Sequence, residues 1–204
     1  MSEAPNAART SPSVSPDSGT DSRPYVSLAA WLRFLVPAVL GLAADLWAKA
    51  GVFPHGIARD ETQRLLPIQG QFAQDPQTLI PGVLNLQTTA NEGAVFGMGQ
   101  GHVTIFVLFS IFALGLIGWV FWTSRRQQVW LHLALGMIAA GALGNLYDRA
   151  MFGAVRDFLR FQFDWYPWIF NIADALLCVG VPLLMICWVF AKDPKKAAVG
   201  KPAA

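Results

Sequence analysis

The sequence predicts a membrane all-α protein with a small β part, made of four transmembrane helices and a small extracytoplasmic β-sheet region between helices 1 and 2. The first observation is composition. Of the 204 residues, 54% are hydrophobic and 14% are charged, and the mean hydropathy is +0.41, which is too apolar for a soluble domain of this size. The second is a set of four apolar stretches. The third is a long connection, 50–101, whose second half has strand-like composition.

The four apolar stretches predict the helices and lie at 28–48, 103–122, 130–147 and 169–190. Each has about the 17–25 residues that cross the core of a bilayer. Because backbone polar groups in lipid must be satisfied within the segment, each stretch is predicted to be helical. A cleaved signal peptide is the alternative for the first stretch, since Ala48-Lys49-Ala50 resembles a small-x-small cleavage site. Its long apolar region and polar leader favour an uncleaved helix.

The segments around the spans have simpler predictions. Residues 1–27 are predicted to be a disordered cytoplasmic tail, because the leader is rich in Ser, Pro, Ala and Asp. The four-helix membrane domain would cover 28–192, and 193–204 would form a second cytoplasmic tail. Within the domain, 50–101 is predicted to be a periplasmic β-rich segment, with a turn signal at Asn91-Glu92-Gly93.

The distribution of Lys and Arg predicts the orientation. Nine of the fifteen fall in the leader, the start of the first stretch, the 123–129 loop and the C-terminal tail, and six fall on the other side. Basic residues mark the cytoplasmic side of a multi-pass protein. Both termini are therefore predicted to be cytoplasmic, with 50–101 and 150–168 facing outward.

Two aspartates lie where a membrane should exclude them. Asp157 follows the third stretch in a short polar break, and Asp174 lies just inside the fourth. An ionised carboxylate in hydrocarbon costs roughly 2.5–3.5 kcal/mol on insertion scales. Two carboxylates that can approach each other share a proton, as in an aspartic protease. Taken singly, Asp157 could be an ordinary loop residue and Asp174 a helix cap, a role for which Asn171 is better placed.

The first stretch ends with a charged pair. Asp45 and Lys49 are four residues apart and share a helix face. They could form a structural ion pair, or Lys49 could extend to the membrane interface. The other hypothesis is that the pair braces a functional site.

A second polar group closes helix 3, where Asn145, Asp148 and Arg149 share one face. Gly141 and Gly144 would let another backbone approach closely. The group could be an interhelical hydrogen-bond cluster without chemistry, or it could orient a site or bind substrate. In the second case Arg149 could neutralise a carboxylate and Asn145 could hold a peptide carbonyl.

Taken in order, these residues fall in blocks that resemble the lipoprotein signal peptidase (signal peptidase II) family. The blocks are DLWAK at 45–49, NEGAVFG at 91–97, GNLYDR at 144–149, VRDF at 155–158 and FNIAD at 170–174. The resemblance covers about residues 28–190. One position departs from the family pattern, since Leu46 stands where the family usually has Gln.

The resemblance implies a bacterial inner-membrane aspartic endopeptidase with its active site at the periplasmic face. It would remove signal peptides from diacylglyceryl-modified prolipoproteins, cleaving before the lipidated cysteine. By similarity, Asp157 and Asp174 form the catalytic dyad and use a water. Eight further residues would bind substrate or support the dyad: Asp45, Lys49, Asn91, Gly93, Asn145, Asp148, Arg149 and Asn171.

Expected partners are lipidated prolipoproteins and membrane lipids, and the protein is expected to be a monomer. No metal or cofactor is expected, since the three histidines have no metal-ligand spacing. A net charge of +2 gives no indication of nucleic-acid binding. The sequence leaves two other classes of protein open. A small transporter would place polar residues near the bilayer midplane, and a non-catalytic scaffold would tolerate loss of either aspartate.

Overall fold

The computed structural model describes residues 23, 27–59, 65–67, 75–93 and 102–190. Four of its helices are long and apolar enough to cross a membrane, which confirms the predicted spans. They are α1 (Leu28–Val52), α2 (Val103–Thr123), α3 (Val129–Phe152) and α4 (Ile172–Val189). Helices α1 and α3 continue four and five residues beyond their predicted ends.

Helix α3 is the centre of the bundle. Its span is 61% buried inside the protein, against 17% for α1, 6% for α2 and 11% for α4. Small residues make this possible. A Cβ on Gly136 would overlap the backbone of Phe34 in α1, and one on Gly141 would overlap the carbonyl oxygen of Ala173 in α4. Helix α3 therefore brings the other spans together.

The strands form two antiparallel sheets. Strands β1 (Ile57–Arg59) and β2 (Leu65–Pro67) form a pair. Strands β3 (Gln77–Ile80), β4 (Leu84–Asn91), β5 (Val155–Phe161) and β6 (Ile169–Phe170) form a four-stranded sheet in that order. The predicted small sheet is confirmed. The structure adds that two of its strands come from the connection between α3 and α4.

The β4–β5 pairing brings Asn91 of β4 and Asp157 of β5 to adjacent positions of the sheet. Thr89 pairs with Asp157 and Asn91 pairs with Val155, after a register shift between Leu86 and Thr89. The β5–β6 pairing also corrects the start of the fourth helix. Because Ile169–Phe170 pair with β5 and Asn171 is the N-cap, α4 begins three residues later than predicted.

Some predictions fall on other parts of the chain. Apart from residues 23 and 27, the 1–27 tail lies outside the described residues, as do the 193–204 tail and positions 94–97 of the NEGAVFG block. The two predicted tails stay predictions.

Candidate active site

The two aspartates come from strand β5 and from the first turn of helix α4. Asp157 lies in strand β5, not in a loop as its polar surroundings suggested, and its side chain is only 1% exposed. Asp174 lies in the first turn of α4 and is partly buried. A strand in which consecutive residues are buried offers no alternation to detect, which explains the missed element.

Asn171 joins the two aspartates. Its side-chain Nδ2 donates to Asp157 Oδ1 at 2.7 Å, and its Oδ1 accepts from the backbone N–H of Asp174 at 2.8 Å. Asp174 Oδ2 accepts in return from the backbone N–H of Asn171 at 3.3 Å, completing a capping box. Both residues therefore cap α4. Capping leaves Oδ1 of Asp174 for another partner.

Asn91 supports Asp157 from the other side. Its Nδ2 donates to Asp157 Oδ2 at 3.1 Å, so each oxygen of that carboxyl has one amide donor. The Oδ1 of Asn91 accepts from the backbone N–H of Gly93 at 2.9 Å, and the carbonyl of Gly93 accepts from Arg149 Nη2 at 3.0 Å. The predicted residues Asn91, Gly93 and Arg149 thus form one connected edge of the site.

The surroundings of Asp157 favour its protonated form. Burial, followed by the nearby charge of Asp174, raises the pKa of Asp157 well above its ordinary value. Hydrogen bonds from Asn91 and Asn171 and the charge of Lys49 oppose this rise in part. Because two neighbouring carboxyls in such a place cannot both ionise freely, the arrangement suits a pair that shares a proton.

Lys49 and Asp45 lie beneath the two aspartates. Both side chains are 0% exposed, which excludes the alternative that Lys49 extends to the interface. Lys49 Nζ is 2.8 Å from Asp45 Oδ2 and 3.1 Å from Asp148 Oδ2. Asp45 Oδ1 also accepts from the backbone N–H of Ala173 at 2.9 Å. The pair therefore connects α1 to the start of α4, and its role in bracing a functional site stays a prediction.

Arg156 is a buried member that sequence reasoning missed. Asp148 Oδ2 accepts its backbone N–H at 2.9 Å, and Asp148 Oδ1 accepts its Nη2 at 2.7 Å. The guanidinium also lies 4.6 Å from the ring centroid of Phe152. Neighbouring residues on a strand face opposite sides, so an arginine beside Asp157 in a buried strand needed its own partner. Both oxygens of Asp148 are engaged, and Asp148 therefore supports the structure around the aspartates.

Asn145 and Arg149, the other members of the helix 3 group, contact different parts of the site. Asn145 Nδ2 donates to Asp174 Oδ1 at 2.8 Å, which uses one of its two N–H groups, and its contact with a peptide carbonyl stays a prediction. Arg149 lies 5.3 Å from the ring centroid of Phe106 in α2, and its buried Nε has no hydrogen-bond partner among the described residues. Gly144 is required here, because a Cβ would overlap the carboxylate of Asp45.

Within the described ranges, no group of three or more His, Cys, Asp or Glu side chains is arranged to hold a metal ion.

Comparison with known proteins identifies the family of this chain. The family model described as signal peptidase (SPase) II matches residues 38–190. The chain belongs to the signal peptidase II family. It is accordingly a multi-pass membrane protein and a protease of lipoprotein processing.

Individual relatives give the same result. The chain is 37% identical over 163 residues to a lipoprotein signal peptidase of Rhodopirellula baltica, covering 73% of this chain and 68% of the relative. It is 39% identical over 142 residues to one of Desulfitobacterium hafniense, covering 69% and 90%. A bacterial membrane enzyme solved by the in meso method is similar with a TM-score of 0.62 and 28% identity, covering 83% of this chain and 92% of that structure.

Proposed function

We propose that this protein is an aspartic endopeptidase that removes signal peptides from diacylglyceryl-modified prolipoproteins. It cuts before the lipidated cysteine, with Asp157 and Asp174 as the catalytic dyad. The observation that carries the proposal is the bridge through Asn171, whose Nδ2 donates to the carboxyl of Asp157 at 2.7 Å and whose Oδ1 accepts from the backbone N–H of Asp174 at 2.8 Å. A carboxyl pair held by neutral amide donors in a buried site is suited to sharing one proton.

The reaction follows from that shared proton. The ionised member of the pair takes a proton from a water as the water oxygen attacks the scissile carbonyl carbon. The protonated member donates to the carbonyl oxygen and gives a tetrahedral intermediate. On collapse, the protonated member gives its proton to the leaving amine and the ionised member takes one from a hydroxyl of the intermediate, so the C–N bond breaks and the pair again holds one proton. Arg149 lies close enough for its charge to act on both aspartates, and it would stabilise negative charge that develops on the substrate.

The proposed orientation places this chemistry at the periplasmic face of the inner membrane, with both termini cytoplasmic. Arg33 Nη1 donates to the carbonyl of Arg126 at 2.9 Å, which joins the first half of α1 to the turn between α2 and α3. This basic end is opposite the sheet, as basic residues on the cytoplasmic side require. A monomer of residues 28–192, with lipid around its spans, would suffice.

The position of the polar groups argues against a transporter. Asp45 and Lys49 lie towards the end of α1, Asn145 and Asp148 lie in the second half of α3, and Asp174 lies in the first turn of α4. They therefore gather at one end of the bundle, whereas a conduction path needs polar groups near the midplane. The scaffold alternative is decided by experiment.

The test is cleavage of a lipidated prolipoprotein by the protein reconstituted in lipid. Asp157→Asn and Asp174→Asn should each lower kcat by about 10³-fold or more and retain substrate binding, because each removes one half of the proton transfer. Asp164→Asn is the matched control, because Asp164 is an exposed aspartate on the connection between β5 and β6. It should cleave like the parent protein.

Two outcomes would contradict the proposal. Full activity in either dyad variant would remove the mechanism and favour a different catalytic group. Equal cleavage of a substrate without the diacylglyceryl group would contradict the proposed substrate class.

A further inference from the structure

Lys49 is a completely buried cation whose Nζ lies close to three oxygen atoms. Its Nζ lies 2.8 Å from Asp45 Oδ2, 3.1 Å from Asp148 Oδ2 and 3.3 Å from Asn145 Oδ1. A lysine ammonium has three hydrogens and no acceptor. Asp45 and Asp148 are its ion-pair partners, and its hydrogen bond goes to Asn145 Oδ1, which belongs to a neutral amide that contacts the candidate dyad.

Charge balance alone does not explain this lysine. Asp45, Lys49, Asp148 and Arg156 form a buried cluster with a formal charge of zero. The cluster would stay neutral if Asp45 and Lys49 were both replaced by neutral side chains. Apolar replacements of buried ion pairs are often neutral or stabilising. The contact with Asn145 is what a neutral replacement would lose.

That contact fixes the orientation of Asn145. Because an ammonium can only donate, Asn145 must present its oxygen to Lys49. Its NH2 group then points the other way, where it donates to Asp174 Oδ1 at 2.8 Å. A reversed amide would set NH2 against the ammonium and oxygen against the carboxylate, so both contacts would become unfavourable.

The orientation passes on to Asn171. The oxygen of Asn145 also accepts from Asn171 Nδ2 at 3.1 Å, so Asn171 must present its NH2 group there. The same NH2 donates to Asp157 Oδ1 at 2.7 Å, and the oxygen of Asn171 accepts from the N–H of Asp174. One donor-only group is therefore sufficient to orient two amides.

We propose that Lys49 is a positioning residue that sets the direction of the Asn145–Asn171 amide chain, so that each of the two aspartates receives a side-chain N–H donor. This inference rests on the proposed function for the identity of the dyad. It goes further by assigning the hydrogen-bond direction at the dyad to a residue of α1 that touches neither aspartate.

The direction of the amides matters for a proton-sharing pair. An N–H donor stabilises the ionised carboxyl that must accept a proton from water. If Asn145 turned its oxygen towards Asp174, two acceptors would face each other, and a proton would have to lie between them. The pair would then hold both protons over a wider pH range and would lack a base.

The test uses the reconstituted protein without substrate. The infrared C=O stretching band of protonated carboxyls is followed against pH, and Asp157→Asn and Asp174→Asn assign the band to the pair. The informative variant is Asp45→Asn with Lys49→Met, because it removes one charge of each sign. Arg149, whose charge interacts with both aspartates, and Tyr166, on which the charge of Asp174 acts, stay unchanged. The midpoint of the band should move to higher pH by about one unit or more.

The control repeats this comparison in an Asn145→Ala background. There, adding Asp45→Asn and Lys49→Met should move the midpoint little, because the amide that carries the effect is missing. Lys49→Gln, which can donate and accept, should also raise the midpoint in the Asn145 protein. Lys49→Arg, which can only donate, should restore the parent value. If the double variant does not fold, Lys49→Gln is compared in the Asn145 and Asn145→Ala proteins, because the lost charge of Lys49 acts in both and only a shift that needs Asn145 comes through the amide.

Two results would overturn the inference. One is an unchanged midpoint in a folded Asp45→Asn, Lys49→Met or Lys49→Gln protein. The other is an equal shift in the Asn145→Ala background, which would mean that Lys49 acts through space. Since no cleavage is measured, a shifted midpoint in a protein that cuts no prolipoprotein would leave this inference intact and refute the proposed function.

Discussion

Asp148 and Asp157 are both buried carboxylates, 0% and 1% exposed, and they are bound in opposite ways. Asp148 is contacted by two cations, Arg156 at 2.7 Å and Lys49 at 3.1 Å. Within the described part of the chain, Asp157 accepts from the neutral amides of Asn91 and Asn171. The difference separates two tasks. A carboxylate paired with cations holds helices and strands together, whereas one among amides can keep a proton for chemistry.

The largest expected effect on stability comes from removing the charge of Asp148, the carboxylate that is paired with two cations. Asp148→Asn should lower the free energy of unfolding by about 3–5 kcal/mol, because it leaves Arg156 and Lys49 with too little negative charge. The free energy is measured by denaturant-induced unfolding in mixed micelles. Combining Asp148→Asn with Arg156→Met should cost less than the sum of the two single changes. A sum that is simply additive would show that the pair is not coupled.

A smaller effect tests how closely the neutral cluster is packed. Gly144→Ala should lower the free energy of unfolding by about 1–3 kcal/mol, because its Cβ would overlap the carboxylate of Asp45. Gly115→Ala in α2 is the matched control, since nothing lies within 4 Å of a Cβ there. That change should be neutral or slightly stabilising. Equal losses in both variants would refute the close approach of α1 and α3.

The smallest expected effect concerns Asp157, the carboxyl bound by amides, and is a change in how stability depends on pH. The folded pKa of Asp157 is raised, so the parent protein should lose stability as pH rises from the unfolded pKa towards the folded one. The loss is about 1.4 kcal/mol for each unit by which the pKa is raised. Asp157→Asn removes this loss, and its stability relative to the parent should therefore increase with pH.

The slope against pH is the decisive quantity in that experiment. The new amide also faces one asparagine N–H donor, but this cost does not depend on pH. Unfolding is compared across the acidic to neutral range, with Asp164→Asn as an exposed control that should have no such slope. A flat difference between Asp157→Asn and the parent would mean that Asp157 ionises in the folded protein as it does in the unfolded chain.

The sequence revealed the spans and the two aspartates, because apolar length and isolated charges are local signals. It did not reveal the partners of those charges. Arg156 pairs with Asp148 only after the chain has turned from α3 into β5, and Lys49 meets Asn145 across 96 residues. Strand β5 was missed because Val155, Arg156 and Asp157 are buried in succession, which erases the alternation of a half-buried strand.

The bond between Asp148 and Arg156 has a consequence for assembly. It closes a loop of eight residues through Gly153, which has the left-handed backbone (φ 75°) that ends α3. Short loops close with little loss of chain entropy, so this turn should form soon after its residues emerge. Asn91 reaches Asp157 across 66 residues and must follow later. A half-assembled chain would therefore hold the Asp148–Arg156 turn before Asn91 reaches Asp157, and the acidic centre would be completed later than the turn beside it.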